Sequence, residues 1–151
     1  MRLGASYEDQ GLRENAVQQY ASALHLQKNN VPALIALGNL AFKNGDLHEA
    51  EARYRQALHW DSSHAGANNN LAMIYLSRGK DLNTAEKFAL TALTQGGPLK
   101  PYALETLAGI YIQQGRYAEA RTSLDEADAA APFDHKALRE QLAKTRGKLQ
   151  P

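Results

Sequence analysis

Apolar and polar positions follow a helical period along this chain, not a strand period. From Leu37 to Leu58 the sequence LGNLAFKNGDLHEAEARYRQAL places large apolar residues at Leu37, Leu40, Leu47, Tyr54 and Leu58. Small residues stand at Gly38, Ala41, Ala50 and Ala57. This spacing draws one apolar stripe along each of two short helices, and Asn44-Gly45-Asp46 forms the turn between them. The pattern returns on both sides. Gly11, Gly45, Gly79 and Gly115 stand 34, 34 and 36 residues apart, and Ala16, Ala50, Ala85 and Ala120 stand 34, 35 and 35 apart. Ala23, Ala57, Ala92 and Ala127 keep that spacing. Four copies of one helix-turn-helix unit predict an all-α, right-handed α-solenoid.

In chain order, the pattern predicts helices over about residues 2–10 and 13–27 in the first copy. In the first copy's second helix, Ala16, Val17, Tyr20, Ala23, Leu24 and Leu26 are expected to face inward. The next helix begins at Val31-Pro32, where a proline costs little because a first-turn N–H lacks a helical partner. Helices then follow over about 47–59, 65–78, 83–95, 101–114 and 117–130. Asp46 is expected to cap its helix, with Glu49 as the reciprocal partner. Trp60 takes the register of Leu26 and is expected to pack between the second and third copies, the alternative being a solvent-facing binding aromatic. The turn Arg78-Gly79-Lys80-Asp81 reads as one residue longer than its equivalents, and Gln95-Gly96-Gly97-Pro98 adds slack before the fourth copy. Beyond Pro132, Asp134 is expected to cap a last helix whose Leu138, Leu142 and Leu149 form a narrow apolar stripe, suited to covering the end of the stack.

The residues that carry the period also carry a resemblance. Each copy has a Leu-Gly or Leu-Ala pair, a turn glycine, an alanine and an Ala-Leu or Ala step: Leu3-Gly4, Gly11, Ala16, Ala23-Leu24; then Leu37-Gly38, Gly45, Ala50, Ala57-Leu58. Leu71-Ala72, Gly79, Ala85, Ala92-Leu93 and Leu107-Ala108, Gly115, Ala120, Ala127 complete the series. Tyr7, Tyr75 and Tyr111 hold the aromatic after the pair, with Ala41 in its place in the second copy. This resembles the tetratricopeptide repeat, over residues 1–132. It implies a single domain over 1–151, with repeats at about 1–28, 29–62, 63–98 and 99–132 and a capping helix at 134–149. In the first copy only Met1 and Arg2 precede the Leu-Gly pair, so the first helix reads as clipped, as if the chain were cut from a longer protein.

Composition narrows the function classes. Formal net charge is +1; residues 1–75 hold 6 basic and 7 acidic residues, and 76–151 hold 11 and 9. Neither half has the excess that nucleic-acid binding by charge requires. With no cysteine there is no disulfide and no thiol nucleophile, and the compartment stays open between cytoplasm and periplasm. No apolar run approaches the ~20 residues of a membrane span. His25, His48, His59, His64 and His135 form no metal-ligand motif, and no phosphate loop or nucleophile elbow occurs. The sequence nominates no catalytic residue, metal or cofactor, and the protein is read as a non-enzyme.

The resemblance supplies a binding face. In this family the first helix of each repeat lines a concave groove that holds protein or peptide partners. The implied groove residues are Ala5, Glu8 and Asp9 in the first copy, then Ile35, Asn39, Phe42 and Lys43 in the second. The third copy offers Asn69, Asn70, Met73, Leu76 and Ser77, and the fourth Glu105, Gly109, Ile112 and Gln113. Asparagine both donates and accepts, which suits it to an extended peptide backbone; Phe42, Met73, Leu76 and Ile112 would supply apolar pockets. Neither the basic carboxylate clamp nor the asparagine ladder of related proteins is complete. The expected function is an adaptor or assembly scaffold, of the Ala-rich kind common in bacterial assembly and envelope proteins. Two alternatives stand beside it: a docking or regulatory segment of a larger enzyme, and a spacer that self-associates through its end faces. The last helix holds five basic residues and one acidic between Lys136 and Lys148, read as a solvated face or as a site for an acidic partner.

Overall fold

The computed structural model describes residues 13–149. The helix expected over residues 2–10, with Ala5, Glu8 and Asp9, lies outside the described residues. Eight α-helices are described: α1 (Arg13–Leu26), α2 (Val31–Lys43), α3 (Leu47–Trp60), α4 (Ala65–Arg78), α5 (Leu82–Thr94), α6 (Lys100–Gln113), α7 (Tyr117–Ala130) and α8 (Lys136–Arg146). Short 3-10 turns at Gly97–Leu99 and Gly147–Leu149 precede α6 and follow α8. The described residues contain no strand. The chain divides into two compact units, Met1–Ala67 and Asn68–Pro151.

In the first unit, α2 and α3 form a hairpin. Asn30 and Asp46 supply the N-caps, their side-chain oxygens accepting from the backbone N–H of Ala33 and Glu49 at 3.1 and 3.0 Å. The reciprocal half of the Asp46 cap does not form, because the Glu49 carboxylate turns to Arg53 at 2.6 Å. The hairpin closes around Tyr54, which is wholly buried and lies against Gly38. Gly38 is glycine because a Cβ there would stand 2.5 Å from the Tyr54 ring. Ala16, Tyr20, Ala33, Leu37 and Leu40 form the adjoining core of α1 and α2. Two expectations for α1 fail. Val17 is 40% exposed and Leu26 88% exposed, because Val17 is turned off the Ala16–Tyr20 stripe and Leu26 is the last helical residue. Trp60 is likewise the last residue of its helix and is 53% exposed, so it is not the buried inter-repeat anchor expected of it.

In the second unit, one apolar cluster runs from Ala72 on α4 through Ala85 and Ala89, Leu104, Leu107 and Ile110, and Leu124 on α7, to Leu138 and Leu142 on α8. Each fully buried leucine contributes about 1.5–3 kcal/mol relative to exposure. The extra residue between Gly79 and Ala85 does not lengthen the connection. Three residues separate α4 from α5, as they separate α2 from α3 and α6 from α7. Instead α4 runs one residue further past its Leu-Ala pair than α2 and α6 do past theirs, and the turn holds two left-handed residues, Gly79 with φ of 62° and Asp81 with φ of 53°.

The last helix starts one residue later than expected. His135, not Asp134, is its N-cap, with Nδ1 accepting from the Leu138 N–H at 3.3 Å. An Nδ1 that accepts carries no proton, so Nε2 donates to the Tyr102 hydroxyl at 3.0 Å. Arg146 anchors the other end on α7, 2.8 Å from Asp125 and 2.7 Å from Asp128. Of the five basic residues, Arg146 docks the helix by ion pairs, and Arg139 donates to the Ala131 carbonyl at 3.2 Å.

Candidate functional site

The expected binding residues fall on α2 in the first unit and on α4 and α6 in the second. On α2, Asn39 is half-buried and accepts a hydrogen bond from the Tyr54 hydroxyl at 2.8 Å. Phe42 is half-buried and Lys43 exposed. The asparagine here is therefore also structural: it satisfies the hydroxyl of the buried ring that closes the hairpin.

In the second unit α4 and α6 lie side by side. A Cβ on Gly109 would meet Leu76 Cδ2 at 2.9 Å, and Gln113 Nε2 donates to the Leu76 carbonyl at 3.2 Å across the two helices. The geometry brings Leu76, Gly109 and Gln113 together. Met73, Leu76 and Ile112 are left half-buried on these helices, with Gln113 exposed beside them. Two other expected residues spend their polar groups internally. Ser77 donates to the Ile74 carbonyl at 2.8 Å. The Glu105 carboxylate accepts from Thr145 at 2.6 Å and Gln141 at 3.0 Å, so α8 has taken it up. Asn69 is 6% exposed; its Nδ2 lies 3.6 Å from the Met73 sulfur, and its Oδ1 is buried with no hydrogen-bond partner. An orphaned buried amide oxygen costs about 1–3 kcal/mol.

The strongest electrostatic feature is one the sequence did not announce. Arg116 in the α6–α7 turn lies 2.7 Å from Glu86 on α5, also pairs with Glu119, and stacks over the Tyr111 ring at 4.2 Å. The two carboxylates, Glu119 first, hold its guanidinium pKa above the ordinary value, and Arg116 in turn lowers that of Glu119. Burial, followed by the Glu86 charge, raises the Tyr111 hydroxyl. Glu86 and Arg116 are 30 residues apart, and only the repeat register hints that they meet. Among the described residues no three His, Asp or Glu side chains converge on a metal-sized site. No described helix is long and apolar enough to cross a membrane.

Short antiparallel hairpins, closed by small residues against a buried aromatic or leucine, define a helical-repeat protein. The chain belongs to the tetratricopeptide repeat family, whose model matches residues 35–96 and 81–135. Tetratricopeptide repeat protein 14 of Mus musculus is 33% identical over 88 residues, covering 58% of this chain and 12% of that protein. Photosystem I assembly protein Ycf3 of Prochlorococcus marinus (strain MIT 9215) is 34% identical over 97 residues, covering 60% of this chain and 53% of that protein. The chain thus spans at most about half the length of these curated relatives. Among solved structures, MamA superposes with a TM-score of 0.76 at 19% identity, covering 99% of this chain and 93% of MamA. Pseudomonas aeruginosa pilF gives a TM-score of 0.81 at 23% identity, covering 97% of this chain and 66% of pilF. The fold is that of the all-α tetratricopeptide solenoids.

Proposed function

We propose that this protein is a non-catalytic adaptor that holds a protein or peptide partner on the first helices of its repeats. The observation that carries this reading is the half-buried apolar set Met73, Leu76 and Ile112 on the adjacent helices α4 and α6, beside the exposed amide of Gln113. Apolar side chains that a core covers only in part favour a partner that finishes covering them. The orphaned Asn69 oxygen supports the same reading, since a partner N–H that reached it would satisfy it. Asn70 would extend the contact on α4, and Asn39, Phe42 and Lys43 on α2 would offer a contact of the first unit's own. The name of the Prochlorococcus relative, an assembly protein, supports assembly as the setting.

The test is affinity capture from the source organism, comparing wild type with a Met73→Glu, Ile112→Glu double variant of unchanged helicity. The proteins captured by wild type should be lost in the variant. Their retention would move the partner away from α4 and α6.

A further inference from the structure

The first unit carries a second recess, which shares no residue with the Asn39–Phe42–Lys43 face. It is a cavity of about 350 Å³ between α1, α3 and the first turns of α2. Leu34, 2% exposed, closes its inner end, and Leu24 and Trp60 form apolar walls. The Trp60 indole is held edge-on by His59, with ring centroids 4.9 Å apart at 78°. Yet 53% of this largest of side chains stays in solvent, at the mouth of the cavity. Lys28 and Arg53 also line the opening, and no lining residue is acidic. Arg53 is paired with Glu49, whereas Lys28 has no ion pair among the described residues. The volume lies at the small end of ligand sites, about 300–1,000 Å³, which suits one or two side chains better than a cofactor.

We infer that this cavity is a second docking site, which takes a partner segment presenting one bulky apolar side chain flanked by carboxylates. The apolar residue would sit on Leu24 and Leu34 against the indole, and the carboxylates would face Lys28, Arg53 and His59. Charge complementarity selects this partner: the cations that attract an acidic segment are the groups that a basic one would have to approach unpaired. The site shares no residue with the α4–α6 face.

Trp60 is the only tryptophan, so its emission reports on this cavity alone. The experiment titrates the full chain with ten-residue peptides centred on Phe, Trp or Leu and flanked by Asp and Glu. For the Trp-centred peptide, and for a Trp60→Phe control, fluorescence anisotropy of a labelled peptide replaces Trp emission. An acidic peptide should shift Trp60 emission saturably. Replacing its acids by Ser, or its anchor by Ser, should each weaken binding by about fivefold or more, and Lys28→Glu should do the same. The Met73→Glu, Ile112→Glu variant should bind these peptides like wild type, which separates this site from the proposed partner face. Equal binding of acidic, neutral and Lys-flanked peptides would overturn the inference. So would the absence of any acidic peptide that shifts the emission up to millimolar concentration. A second copy of this chain is the competing occupant, because Phe133 is 94% exposed and is followed by Asp134. A concentration-dependent emission shift of the protein alone, abolished by Phe133→Ala, would replace the foreign partner with a second copy.

Discussion

At the scale of single residues, Gly38 sets how closely α2 and α3 can approach. Gly38→Ala would drive a methyl into the Tyr54 ring, and such overpacking typically costs about 1–3 kcal/mol. A urea melt should show the loss as a lower midpoint at unchanged slope. Asn69 behaves in the opposite way. The near-isosteric Asn69→Leu removes an orphaned buried oxygen, so stability should rise by about 1 kcal/mol while partner capture falls. A variant that gained stability and kept its partners would free Asn69 of any binding role. The small residues were legible in the sequence because the repeat spacing marks their station: Gly38 stands where Tyr54 packs on it, and Ala72 and Ala108 stand at the same station in the later copies. Trp60 and Leu26 were not legible. Register equates them, but both end their helices, and whether anything covers a helix end depends on neighbours that a repeat pattern does not specify. The candidate site was legible as a set of helix faces. It was not legible as chemistry, since the capture of Glu105 by Thr145 and of Asn39 by Tyr54 spans 40 and 15 residues.

At the scale of elements, α8 is fastened by a cap, an ion-pair anchor and two leucines. His135→Ala removes both the cap and the Tyr102 contact, and loss of an N-cap costs about 1 kcal/mol. Hydrogen exchange should accelerate in α8 first, with α6 and α7 little changed. His135→Asn, which retains a side-chain acceptor for the Leu138 N–H, should recover most of the protection. The α5–α7 junction responds to acid instead. Arg116 lowers the Glu119 carboxyl pKa in the folded state. Its contribution is therefore complete above the ordinary carboxylate range of the unfolded chain and is lost as pH falls through the lowered folded value. Arg116→Ala should make stability less dependent on pH across that range. The effect will be modest, because Glu119 is exposed.

At the scale of the whole molecule, stability is a sum over neighbouring repeats, so it need not be uniform. The second unit has a continuous core from α4 to α8, whereas the first concentrates its burial around Tyr20, Leu40 and Tyr54. Amides of α6 and α7 should exchange slowest and those of α1 fastest in native-state exchange; equal protection throughout would show one cooperative block. The α4–α5 turn adds a lesson about how such chains change length over evolution. Here α4 runs one residue further past its Leu-Ala pair than α2 and α6 run past theirs, and the left-handed Asp81 then starts α5 in register. A one-residue insertion placed inside α5 would rotate everything after it by about 100° and carry its alanines off the core. Viable insertions and deletions should therefore cluster just after Gly45, Gly79 and Gly115, and an insertion scan with glycine would map those tolerant points directly.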